Sequence, residues 1–235
     1  MIPQVSTVRF PEANCRLKIA FAADFHLRKG MDAEKIAEIL SEMRADVLIL
    51  GGDIADREAD ARRMLSALRP LHFPLGKFAV CGNNDTEAFQ NHARFKNACK
   101  ENGIRLLLNE GVRLGNTHAF LAGVAEKDKA DSAKALCGAE KGQYRILAGH
   151  FPQDELLKNE SDLILCGHTH GGQFNFFGLT PYTVGYERKL HIKQVSGLKR
   201  WGRAQMLVSK GIGASKIPVR IGVKSEVHLI ILGSG

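Results

Sequence analysis

The chain has 235 residues, 44% of them hydrophobic and 25% charged, with a formal charge of +8. That length holds one domain with a substantial core, and the balance is that of a globular protein rather than a disordered or fibrous one. No apolar run approaches the roughly 20 residues that span a bilayer, and residues 1–11 lack the pattern of a secretory signal, so the expected location is the cytoplasm. Cys15, Cys81, Cys99, Cys137 and Cys166 are scattered and free of C-x-x-C spacing, which argues against a disulfide framework or a thiolate zinc site. The basic balance fits an anionic partner (a phosphorylated substrate, nucleic acid or an acidic membrane surface) or simply a solvated face.

Short apolar runs that end in polar clusters and lead into amphipathic segments give the rhythm of an α/β sheet. Residues 17–23 read as a buried strand stopping at Asp24-Phe25-His26, and 31–44 follow as a helix with Ile36, Ile39, Leu40 and Met43 in register. Residues 47–50 are the next strand, ending at Gly51-Gly52-Asp53-Ile54-Ala55-Asp56, and 58–68 form a helix closed by Pro70. The strand at 78–80 runs into Gly82-Asn83-Asn84-Asp85, after which one helix is expected over 87–101, ended by Asn102-Gly103. A strand at 104–108 precedes antiparallel stretches over 110–124, separated by Gly111, Gly115-Asn116 and Gly123. Strands at 144–148 and 162–166 lead into Gly149-His150 and Gly167-His168-Thr169-His170. The tail is β-rich at 205–209 and 226–232, while 174–203 is aromatic and basic without clear periodicity. With no internal repeat or low-complexity linker, residues 1–235 read as a single domain.

Five strand ends thus carry Asp, His or Asn, the residue types that converge as metal ligands from rigid elements. Taken singly most are weak signals. Asp24 and His26 could flank a turn, Asp53 could belong to turn chemistry, residues 82–85 could be a turn and helix cap, and a lone His150 is more often structural. The run Gly167-His168-Thr169-His170-Gly171-Gly172 is stronger, because paired histidines framed by glycines have few purely structural reasons to exist. Carboxylate and imidazole donors without thiolate suit two divalent ions, manganese first, iron or zinc otherwise. Two such ions about 3.5–4 Å apart would share an activated water, as hydroxide, and direct it at phosphorus.

At these blocks the chain resembles the calcineurin-like metallophosphoesterases, whose ordered motifs are D-x-H, G-D-x-x-D, G-N-H-D, G-H and G-H-x-H. Residues 211–215 and Pro218-Val219-Arg220 resemble the bacterial membrane-associated branch. The resemblance implies a four-layer α/β/β/α sandwich. It also implies one ion held by Asp24, His26, Asp53 and His170, and another by Asp53, Asn83, His150 and His168, with Asp53 as the bridge. Position 84 departs from the motif. Asn84 stands where the family has the His thought to stabilise phosphoryl oxygens or protonate the leaving group, and an amide cannot supply a proton. Asn84 and Asp56 are the expected catalytic residues, with Asp56 as an orienter of Asn84, a metal ligand or a helix cap.

The aromatic and basic stretch is expected beside the mouth of the site, with Arg188, Lys189 and Trp201 as substrate-binding residues. The expected function is a phosphodiesterase or pyrophosphatase, and the branch resembled points to a nucleotide-linked lipid precursor such as UDP-diacylglucosamine. Peripheral contact with the inner membrane accompanies that reading, and nucleic acid is not expected as a partner. Two other classes stay open: a metal-binding protein-interaction module in which Asn84 marks lost catalysis, and a nuclease, supported only by charge. Sequence leaves the oligomeric state undetermined.

Overall fold

Alternation along the central strands divides the core into layers. In β2 (Leu17–Ala22), Ile19 and Phe21 point to one side and Ala20 and Ala22 to the other, and all four are buried. A strand covered on both faces has no polar positions to spare, which is why its sequence is an apolar run rather than a polar–apolar alternation. The computed structural model describes residues 2–175, 179–180 and 194–234. It contains two six-stranded sheets packed against each other.

The first sheet runs in the order β1 (Gln4–Phe10), β12 (Glu226–Leu232), β2, β3 (Val47–Leu50), β4 (Lys77–Ala79), β5 (Ile104–Leu106). Strands β2 to β5 are mutually parallel, and β12 pairs antiparallel with β2. The second sheet runs β10 (Gly197–Trp201), β11 (Ala204–Val208), β9 (Leu163–Cys166), β8 (Tyr144–Ala148), β7 (Ala119–Gly123), β6 (Glu110–Arg113). Its four central strands are parallel, with an antiparallel strand at each edge. Between the sheets, Ile19, Phe21 and Ile49 meet Leu121, Ile146 and Leu165.

The outer face of the first sheet carries α1 (Ala33–Glu42), α2 (Glu58–Leu68), α3 (Asn83–Phe89) and α4 (His92–Glu101). Their buried stripes, including Ile36, Leu40, Met64, Leu65 and Phe95, close over Ala20, Leu48 and Leu50. The outer face of the second sheet is covered by the short helix α5 (Ser132–Leu136) and the turn bearing Leu156, packed on Leu147 and Ile164. Helix, sheet, sheet, helix is the expected four-layer α/β/β/α sandwich.

The helix expected over 87–101 is two helices. Gln90 closes α3 in the left-handed conformation (φ 65°), and the Asn91 side chain starts α4 by accepting from Arg94 N. Strands β1 and β10 and helix α5 were not legible in the sequence. Both strands lie at sheet edges with much of their surface exposed, and α5 is five residues long, too short to show a period. Among the described residues no helix is long and apolar enough to cross a membrane.

Candidate metal centre

In each sheet the parallel strands end along a common edge, and ligands collect at such carboxyl ends. The loops after β2, β3, β4, β8 and β9 bring the five blocks there. The backbone bends hard to do it: Asp24 (φ 50°), His26 (39°), Asp53 (55°), His168 (71°) and His170 (51°) all adopt the left-handed region. Such a conformation costs a non-glycine residue about 1–3 kcal/mol and persists where the surroundings impose it. Close approach needs glycine at position 82, where a Cβ would lie 2.1 Å from Asp53 Oδ1. Asp85, wholly buried, locks the β3 and β4 loops together by accepting from the N–H groups of Asp53 (2.8 Å), Ile54 (2.8 Å) and Gly82 (2.9 Å). Its position as the last residue of G-N-N-D was the available signal for this role.

Two groups of donors result. Ligand atoms of Asp24, His26 and His170 lie within 4.8 Å of one another, and so do those of Asp53, His150 and His168. Asp53 connects the groups, with Oδ2 3.5 Å from His26 Nε2 and 3.2 Å from His150 Nε2. Its Oδ1 accepts from Asn84 N at 2.9 Å. Both oxygens of Asp24 accept from His168 N, at 3.0 and 2.9 Å.

Outer partners set the rings. His150 Nδ1 donates to Gly51 O at 2.8 Å, which leaves Nε2 as the free donor atom. His26 Nδ1 lies 2.6 Å from Asp56 Oδ1, the carboxylate–imidazole pairing that aims the opposite nitrogen at a cation. Asn83 Nδ2 donates to Asn84 Oδ1 at 2.9 Å, so its own oxygen faces inward. His26 Nε2 and Asn83 Oδ1 are buried without a hydrogen-bond partner. Orphaned buried acceptors are costly, and a divalent cation would satisfy both, so these residues fit the ions that the sequence implies. His170 is the exception. Arg220 donates to its Nδ1 at 3.2 Å, which places the ring proton on Nε2, so ligation through Nε2 requires the other tautomer and the loss of that bond.

Charge is finely poised. Burial disfavours a charged His150, but Asp53 and Asp24 outweigh it and push the imidazole up to about 10. His150 in turn holds Asp53 below the usual carboxylate range against the effect of burial. Asp24 is pushed up to about 6, by burial first and Asp53 next, against the pull of His150. His168 is held down to about 3 by burial and by the charge on His150, with a smaller push from Lys127. The proton on His150 thus occupies the electrostatic place of a cation, and an entering ion must displace it.

Six of the seven sequence-predicted ligands fall in these two groups, and Asn83 adjoins them through Asn84, whose N–H donates to Asp53. Asp56 sits against both His26 and Asn84, whose Nδ2 donates to it at 3.1 Å, while the cap position of α2 belongs to Arg57. Arg188 and Lys189 lie outside the described residues. Trp201 does not join the site. Strand β10 runs antiparallel to β11, so Gly197 pairs near the ligand end and Trp201 opposite Ala204 at the other, about 13 Å away at the usual rise per residue. There Trp201 donates to Gln194 Oε1 at 3.2 Å and lies under Lys199. Arg200 and Arg203 line a separate cavity of about 530 Å³ at that far end, with Arg145 and Asp162. The basic stretch therefore does not border the mouth over its described C-terminal part. A third group, Cys81, His92 and Glu126, also lies within 4.8 Å, but Thr86 links Cys81 to Glu126 and His92 faces Glu126, so the members serve one another.

The family model for calcineurin-like phosphoesterases matches residues 17–172, the span from β2 to the last paired histidine. The chain is 30% identical over 251 residues to an uncharacterized metallophosphoesterase of Aquifex aeolicus, covering 98% of this chain and 90% of that one. It is 28% identical over 235 residues to phosphodiesterase YaeI of Escherichia coli, covering 95% and 84%. In architecture it is similar to phosphopantetheinyl hydrolase PptH of Mycobacterium tuberculosis, with a TM-score of 0.50 at 13% identity over 83% of this chain and 90% of that one, a likeness of fold. Ordered ligand blocks, sandwich and sequence match agree, and the chain belongs to the calcineurin-like phosphoesterase family.

Proposed function

We propose that residues 1–235 act as one phosphoesterase domain that hydrolyses phosphodiesters or pyrophosphates with two divalent ions, manganese before iron or zinc. Asp24, His26, Asp53 and His170 would hold one ion, and Asp53, Asn83, His150 and His168 the other. The observation that carries this reading is the position of Asp53 between two donor groups that offer only oxygen and nitrogen. Bound as a pair, such ions acidify water and neutralise charge on a phosphoryl group.

The protein's own residues do the rest. Gly51 and Asp56 fix the imidazoles of His150 and His26, and Asp56 aims the amide of Asn84, which can donate to a phosphoryl oxygen but cannot protonate a leaving group. Leaving groups that depart without a proton, as pyrophosphates and aryl diesters have, are therefore favoured. Leu179, Ile217, Val219 and Ile221 are exposed, and Gln173, three residues beyond His170, bonds to the carbonyl of Ile217. This apolar rim supports a lipid-linked substrate of the UDP-diacylglucosamine type and peripheral contact with the cytoplasmic face of a membrane.

The test is turnover of bis(4-nitrophenyl) phosphate by protein stripped of metal and then given manganese. Hydrolysis above background is expected. No turnover together with tight capture of a protein partner would favour the interaction module, and salt-sensitive cleavage of DNA or RNA would favour the nuclease.

A further inference from the structure

The turn after β7 presents a lysine with no acceptor among the described residues. Two amides pin this turn. Asn109 Oδ1 accepts from Ala125 N (2.8 Å) and Asp131 N (3.0 Å), and its Nδ2 donates to Lys129 O (2.8 Å). Gln153 Nε2 donates to Lys127 O at 3.1 Å, tying the turn to the loop that follows His150. Between these anchors Lys127 is held at φ 35°, a conformation a side-chain-bearing residue adopts only where its surroundings impose it. Several other cations near the centre, among the described residues, are engaged. Lys129 faces Glu126 at 3.6 Å, Lys210 pairs with Glu226 at 3.0 Å, Arg28 donates to Ala214 O, and Arg220 donates to Gly213 O and Lys210 O.

Lys127 stands on the wall of a cavity of about 290 Å³ that it shares with Asn83, Phe151, Lys129 and the acidic Glu87, Glu126 and Asp128. Asn83 is one of the ligands assigned above, so the cavity borders the second donor group at that residue. The Phe151 ring lies against His168, tilted by 41° with centroids 4.0 Å apart, and its half-buried side chain also lines the cavity. We propose that this cavity is the substrate subsite of the phosphoesterase: Lys127 binds an anionic phosphoryl oxygen, and Phe151 takes a planar or apolar substituent on the same phosphorus.

The assignment rests on the hydrolase reading. Chemistry supports it, because Asn84 gives the phosphoryl oxygens no cationic partner and Lys127 offers one from another wall. Size supports it too. A volume of about 290 Å³ lies just below the range, roughly 300–1,000 Å³, of pockets for drug-sized ligands. It suits a single aryl or nucleoside-sized group, with any acyl chains lying elsewhere.

Two esters with the same leaving group separate the roles: bis(4-nitrophenyl) phosphate, whose retained substituent is a ring, and methyl 4-nitrophenyl phosphate, whose retained substituent is not. Lys127→Met should lower kcat/KM for both by about 10- to 100-fold, the worth of a charge-assisted hydrogen bond, and Lys127→Arg should restore most of it. Phe151→Ala should reduce the aryl-to-methyl ratio of kcat/KM by about 2- to 10-fold. Bound manganese is measured in each variant, and because Phe151 touches His168, Phe151→Leu serves as the second variant that keeps packing but removes the ring. Activity of Lys127→Met within about twofold of wild type on both esters, or an unchanged ratio in both Phe151 variants, overturns the subsite and leaves the hydrolase standing. A wild-type protein that turns over neither ester with saturating manganese overturns both.

Discussion

At the scale of single residues, Asp53 and Asn84 carry different burdens. Asp53 Oδ2 approaches both donor groups, at 3.5 Å from His26 and 3.2 Å from His150, more closely than Asp24 approaches His150 at 4.0 Å, so Asp53→Asn removes charge from both at once. It should lower bound manganese below two ions per chain and cut turnover by at least about 100-fold, the upper end of what losing an outer-sphere partner costs. Elemental analysis beside the diester assay checks this, and normal metal content would refute the bridge. Asn84 is a matter of proton supply. Its amide bonds to Asp56, whose carboxyl is held down first by the His26 hydrogen bond and so carries charge at neutral pH. A histidine at 84 would meet that charge, be favoured as an imidazolium, and act as an acid. Asn84→His should therefore raise the monoester-to-diester ratio of kcat/KM by about 10-fold or more. An unchanged ratio would mean that proton delivery does not limit monoesters.

At the scale of elements, the site is made by loops held stiffly between regular segments. Asp85, at the start of α3, accepts three backbone N–H groups from two loops, so a helix terminus serves as the clamp of a metal site. Helix α3 stops after two turns because Gln90 turns left-handed. That geometry costs a residue with a Cβ roughly 1–2 kcal/mol, and glycine adopts it freely. Gln90→Gly should accordingly raise thermal stability by about 0.5–1 kcal/mol, net of the added chain entropy, without changing turnover. A lower melting temperature would show that the Gln90 Oε1 contact with Arg94, 3.0 Å away, outweighs the relief.

At the scale of the molecule, two sheets meet so that their parallel strands deliver four imidazoles and two carboxylates to one edge, a concentration of like and unlike charge that only a cation or a proton can settle. The pH dependence follows. His150 in the folded, metal-free protein titrates near 10, above its ordinary 6.5. Its contribution to stability is present in full below 6.5 and is lost as pH rises through 10. His168 and His170 are shifted downward and titrate below that window. Melting temperature in EDTA should fall from pH 6.5 to 10, and added manganese, if it displaces the His150 proton, should flatten the slope. Parallel slopes with and without metal would refute the displacement. Much of this architecture was legible beforehand, because each ligand block is a few contiguous residues and buried parallel strands leave apolar runs that end where the chemistry begins. The seven proposed ligands, most of the strands and the family resemblance came from that local grammar. The rest had no local signal. Periodicity reports which face is buried but not which strands are neighbours, so it could not show that β10 carries Trp201 away from the mouth. Nor could it show that Lys127 and Phe151, separated by a whole strand, share a wall with Asn83. The sequence alone determined which donors exist and in what order. Only the packed sheets decided which atoms face one another, because hydrogen bonds between distant segments, with Gly51, Asp56 and Asn84, set the orientation of His150, His26 and Asp53.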